Sequence, residues 1–71
     1  MSNKQGLTKR QAQTVAVIRE FVQGNGYSPS YQEIADQLNV NKSSVAVILK
    51  RLETKGHIVK SPYDRSIALT D

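Results

Sequence analysis

The 71-residue sequence contains no cysteine and a single histidine, His57. The first absence excludes disulfides, thiolate metal sites and cysteine nucleophiles, and the second excludes any site needing paired imidazoles. Long apolar runs are missing too. The longest, Val45 to Leu49, is far short of the roughly 20 residues a membrane-spanning helix requires. No apolar segment follows the polar opening Met1-Ser2-Asn3-Lys4-Gln5-Gly6, so no secretory signal is read there. Length alone limits the chain to one domain with a modest core. Catalysis finds no support. Lys42, Ser43 and Ser44 are adjacent but lack an accompanying general base or oxyanion site, and His57 reads as a half-exposed packing residue. No catalytic residue, metal ligand, cofactor or small-molecule ligand is expected, and the domain is expected to be cytoplasmic.

What the sequence does have is positive charge, unevenly placed. The net charge is +4. Lys4, Lys9 and Arg10 make the opening basic. Arg19 is outnumbered by Glu20, Glu33 and Asp36 in the middle. Lys42, Lys50, Arg51, Lys55, Lys60 and Arg65 outweigh Glu53 and Asp64 in the second half. A basic region beside an acidic one is the electrostatic footprint of a nucleic-acid binder, although a solvated basic face would carry the same charges.

Residues 1–6 are polar and patternless and read as a flexible tail, with one domain over 7–71. Thr8 with Gln11 three residues on forms a capping box for a first helix over about 9–24, whose apolar positions are Val15, Ile18, Phe21 and Val22. Gly24-Asn25-Gly26 stops it. Pro29 extends the connector, and Ser30 with Glu33 is a second capping box. The second helix buries Ile34, Ala35 and Leu38. Asn39-Val40-Asn41 breaks it, and Asn41 caps a third helix with apolar positions Val45, Ile48, Leu49 and Leu52. Lys55-Gly56 closes that helix, with a cation in its last turn. The period then changes. Residues 57–60 and 66–70 read as short strands around the turn-forming Ser61-Pro62-Tyr63-Asp64-Arg65, a hairpin that must pack on the helices. The fold class is mostly α with a small β-hairpin.

Helix two, a three-residue turn and helix three have the proportions of a helix-turn-helix. At about 100° per residue, the face of helix three opposite its apolar stripe carries Ser43, Val47, Lys50 and Thr54, flanked by Ser44, Ala46 and Arg51. That face is small, cationic and free of acids. Serines can donate to phosphate or base edges, lysine reaches phosphate or guanine, and alanine or valine can touch a thymine methyl. Val47 is apolar where solvent favours a charged residue; a protein contact would explain it as well. The expected DNA-contacting set is Ser30, Asn41, Lys42, Ser43, Ser44, Ala46, Val47, Lys50 and Arg51, joined from the hairpin by Lys60, Tyr63 and Arg65.

Five fragments, Leu7-Thr8-Lys9-Arg10-Gln11, Gly26-Tyr27-Ser28-Pro29-Ser30, Glu33-Ile34-Ala35, Leu52-Glu53-Thr54-Lys55-Gly56 and Arg65-Ser66-Ile67-Ala68-Leu69, stand in an order and spacing that resemble the N-terminal DNA-binding domain of LexA repressors. The resemblance runs from about Leu7 to Leu69. It implies a winged helix-turn-helix with residues 41–51 as the recognition segment. The family's repressors continue into a self-cleaving Ser/Lys peptidase and dimerisation domain, which these 71 residues do not reach. The segment from Asn41 to Arg51 departs from the pattern of those repressors and is closer to MarR-like or phage regulators. The resulting expectation is a regulator of transcription, read as a repressor, that binds double-stranded DNA. It is expected to be monomeric in solution and paired on DNA, since no heptad run offers a dimerisation element. The alternatives are a winged-helix adaptor or antirepressor binding protein, and a binder of left-handed duplexes.

Overall fold

The cap at Thr8 forms as its sequence requires. The Thr8 hydroxyl accepts the Gln11 amide at 3.2 Å and Gln11 Oε1 accepts the Thr8 amide at 3.1 Å, starting helix α1 (Lys9–Asn25). The computed structural model describes residues 6–60 and 67–70, so the tail expected over 1–6 lies almost wholly outside it. Helix α1 ends where Gly26 turns left-handed at φ 79°, a conformation glycine adopts without a Cβ penalty. The second capping box starts α2 (Tyr31–Leu38): Glu33 N donates to Ser30 Oγ at 3.1 Å, and Ser30 N to Glu33 Oε1 at 2.8 Å. Asn39 closes α2 at φ 58°, where asparagine is among the few side chains tolerated. Helix α3 (Lys42–Thr54) follows, and Gly56 at φ 85° releases the chain into the hairpin.

The strands β1 (Ile58–Val59) and β2 (Ala68–Leu69) are antiparallel, with Ile58 opposite Leu69 and Val59 opposite Ala68. They are shorter than the sequence suggests. One further rung exists, from the Thr70 amide to the His57 carbonyl at 3.1 Å, and Lys60 of the expected first strand lies outside the ladder. The expected turn and Ser66 fall outside the described residues. Three helices followed by a two-stranded hairpin make this a winged helix-turn-helix.

Helix α3 packs against α2, α1 and β1, and α1 also meets α2 and β2. Ile18, Ile34, Ala35, Val45, Leu49 and Leu52 are fully buried between these elements, and Ile58 and Ile67 seal the hairpin side. Each large aliphatic side chain removed from water contributes about 1.5–3 kcal/mol, so a core of this size holds the helices while leaving little margin.

Four apolar positions depart from expectation. Ile48 and Leu38 are half-buried, because they sit at the edges of their stripes. Val22 is 37% exposed. It shares the stripe of Val15 and Ile18, but there α1 borders a shallow groove whose other walls are Ser28, Ile67, Ala68 and Leu69. Phe21 is half-buried too: the left-handed Gly26 brings Tyr27 back against it, edge to face, with ring centroids 5.6 Å apart. Gln11 and Thr14 are buried instead. Their burial is tolerated because both are bonded: Thr14 Oγ donates to the Arg10 carbonyl at 2.8 Å, and Gln11 Oε1 accepts two donors.

Candidate nucleic-acid interface

The turn before α3 fixes how that helix is presented. Val40 N donates to the Ala35 carbonyl at 3.0 Å, holding the turn against the end of α2. Asn41 Oδ1 then accepts the Ser44 amide and the Ser43 hydroxyl, each at 2.9 Å. Cap and core stripe together leave one face outward. Ser43, Val47, Lys50 and Thr54 are exposed on it, as are Lys42, Ala46 and Arg51 on its flanks, while Ser44 is half-buried. Val47 is 54% exposed. Around it, Val47, Lys50, Arg51, Thr54 and Lys55 line a shallow depression of about 400 Å³.

The structure gathers most of the expected contact residues on this one helix and assigns several side chains a second task. The Asn41 carboxamide oxygen is occupied by the α3 cap. Ser30 stands apart at the start of α2, half-buried, its hydroxyl accepting the Glu33 amide. Lys60 Nζ lies 3.8 Å from Glu53 Oε1. Tyr63 and Arg65 lie outside the described residues. Thr54, on the outward face although not in the expected set, donates its hydroxyl to the Lys50 carbonyl at 3.0 Å.

Lys55 adds most to the sequence reading. It is the residue at which α3 ends, and a cation there suits the helix dipole. Its amine instead donates to Gln11 Oε1 at 2.7 Å and to the Gly6 carbonyl at 3.0 Å. It therefore ties the end of α3 to the start of α1. Only the pairing of distant elements brings Gln11 there, so nothing local in the sequence signals the bond. Arg10 acts similarly, donating to the Leu38 carbonyl at the end of α2 at 3.4 Å.

Chemically, the outward face of α3 offers hydroxyl, ammonium and guanidinium donors beside an apolar methyl surface. Glu53 is the one acid in α3, set on the flank toward β1. Among the described residues, no three His, Cys, Asp or Glu side chains converge as a metal site would need, and no helix is long and apolar enough to cross a membrane.

The family model described as the LexA DNA binding domain matches residues 4–65. A LexA repressor of Mycobacterium leprae is 47% identical over 58 residues, covering 80% of this chain and 25% of its own length. One from Streptomyces coelicolor is 41% identical over 63 residues, covering 87% and 27% respectively. One from Herpetosiphon aurantiacus is 41% identical over 54 residues, covering 75% and 25%. The chain thus spans about a quarter of the length of these relatives.

Proposed function

The chain belongs to the LexA DNA binding domain family, and on that premise we propose that it binds double-stranded DNA sequence-specifically, as the DNA-reading part of a transcriptional repressor. Helix α3 enters the major groove. Ser43, Val47 and Lys50 approach base edges and phosphates, with Lys42, Ser44, Ala46 and Arg51 on the flanks. Lys60 approaches the adjacent backbone or minor groove, a contact to which Tyr63 and Arg65 are also expected to contribute. Ser30 and Asn41 contribute through the helix starts they cap, whose free backbone amides favour phosphate. The role is binding, not catalysis, and it puts the protein at the nucleoid.

The observation that carries this reading is the composition of the outward face of α3. It presents an exposed valine between a serine and a lysine, and no acid stands on the face itself. An ordinary solvated helix face would mix acids and bases there. Val47 suits contact with a thymine methyl group, and Lys50 supplies the charge that phosphate or guanine requires.

The test is titration of labelled duplex DNA with the protein at low and moderate salt, using wild type and Lys50→Ala. Binding to mixed-sequence duplex at low salt is expected, and the substitution should weaken it. A Lys50 contact to phosphate reduces the salt slope by about 1, with a similar loss on every sequence; a contact to guanine concentrates the loss on one site. Binding that is indifferent to Lys50 on all DNA would move the interface off α3. An absence of duplex binding would favour protein contact through Val47.

The domain acts as a monomer that pairs on DNA. Its apolar stripes are largely used in the core, and a single module covers only roughly 600–1,000 Å² of interface. Two copies would then occupy half-sites about 10–10.5 base pairs apart or a multiple of that. Sedimentation equilibrium of the free protein, and of the protein with one-site and two-site duplexes, checks this. A stable dimer without DNA would overturn it.

A further inference from the structure

We propose that Glu53 limits how strongly the domain grips the DNA backbone, by holding Lys60 in an ion pair that a phosphate must displace. The proposal rests on the DNA reading above and deepens it. Glu53 is the single acid of α3, and it stands on the flank turned toward β1. Lys60 follows β1 directly and leads into the expected turn of the wing. Their charged atoms are 3.8 Å apart, with the side chains 42% and 24% exposed respectively.

These numbers describe a contact made to be exchanged. At 3.8 Å the pair is an electrostatic association rather than a hydrogen bond, which for nitrogen and oxygen lies near 2.9–3.0 Å. A pair this long, with Glu53 exposed and Lys60 half-buried, contributes little to stability. A DNA phosphate offers the same ammonium a fuller charge-assisted hydrogen bond. Lys60 therefore changes partner at small cost, but the exchange leaves Glu53 beside the phosphates with no other ion pair among the described residues. Two penalties result: the ion pair is lost, and a carboxylate is drawn close to a polyanion. Both are independent of base sequence, because the groups involved face backbone charge. Lys50 and Arg51 have no such opponent on the outward face itself.

Wild type, Glu53→Gln, Lys60→Met and the double variant are titrated against a short mixed-sequence duplex across about 50–200 mM salt. Glutamine keeps the shape and helix preference of glutamate at an exposed position, so folding is not at stake. Glu53→Gln is expected to bind roughly two- to fivefold tighter, as loss of an exposed charge pair implies. Its salt slope should steepen by less than about 0.9, the value for one whole phosphate contact, because Lys60 of wild type already reaches phosphate part of the time. In the Lys60→Met background the same substitution should leave the slope unchanged. Unaltered or weaker binding by Glu53→Gln, while wild type binds, overturns the proposal and leaves the DNA reading standing. An equal gain in both backgrounds overturns it too, because Glu53 would then act by general repulsion and not through Lys60. Failure of wild type to bind any duplex overturns the DNA reading, and this proposal with it.

Discussion

Toward α1, the end of α3 is tied down by Lys55, whose amine makes bonds of 2.7 and 3.0 Å to neutral oxygens of Gln11 and Gly6. Toward the hairpin, Lys60 faces Glu53 of the same helix across 3.8 Å. The two cations count equally in the net charge of +4, yet they differ in kind. Lys55 acts as a strut. It satisfies a buried carboxamide, and its attraction to neutral dipoles is less exposed to screening than an ion pair at the surface. Lys60 is a charge held by a counter-charge and free to exchange it. A domain can therefore look uniformly basic while only part of that charge is available to a partner.

The strongest way to break this contrast is to remove what both sides stand on. Leu49 is fully buried beneath α3, and Leu49→Ala should cost about 2–5 kcal/mol, loosening both attachments at once. Thermal melting followed by circular dichroism measures it. An unchanged midpoint would mean that another stripe holds the helix.

Next in size is the strut. Lys55→Met should lower stability by roughly 1–2 kcal/mol, the scale of hydrogen bonds from a charged donor reduced for partial exposure. Urea unfolding at low and high salt should give nearly the same loss; a loss that disappears in salt would make Lys55 no different from Lys60. The cap comes third. Asn41→Ala removes the acceptor for Ser44 N and Ser43 Oγ and should cost about 1 kcal/mol, seen in the same unfolding curves. Smallest is Lys60→Met, expected within about 0.5 kcal/mol of wild type in stability. A larger destabilisation would turn Lys60 into a second strut and remove the contrast.

The sequence discloses those parts of the fold that depend on neighbours three or four residues away. Both capping boxes, the Asn41 cap, the left-handed closures at Gly26 and Gly56, and the split of α3 into a Val45–Leu49–Leu52 side and a Ser43–Val47–Lys50 side are all local in this sense. Tertiary pairing decides the rest. Val22 satisfies the periodicity of α1 and still reaches the surface, because its neighbours across the groove leave it partly open. Gln11 is a capping residue by sequence and also a buried acceptor for Lys55, 44 positions away. The outward face was legible because exposure on a helix follows from its period. The engagement of Lys60 by Glu53 was not, since it depends on where β1 crosses the flank of α3.

Thr70 carries a consequence of a mechanical kind. Its amide reaches the His57 carbonyl at 3.1 Å and its hydroxyl the Gly56 carbonyl at 2.6 Å, pinning the far end of β2 beside the exit of α3. Any polypeptide joined beyond this point would leave from the open end of the hairpin, next to where β1 begins. Tension applied there loads the pairs one after another, Thr70 with His57 first and then Ala68 with Val59, in peeling rather than shear. A pull from that side would act on the pairing of β2 with β1 before it acts on the packing among α1, α2 and α3.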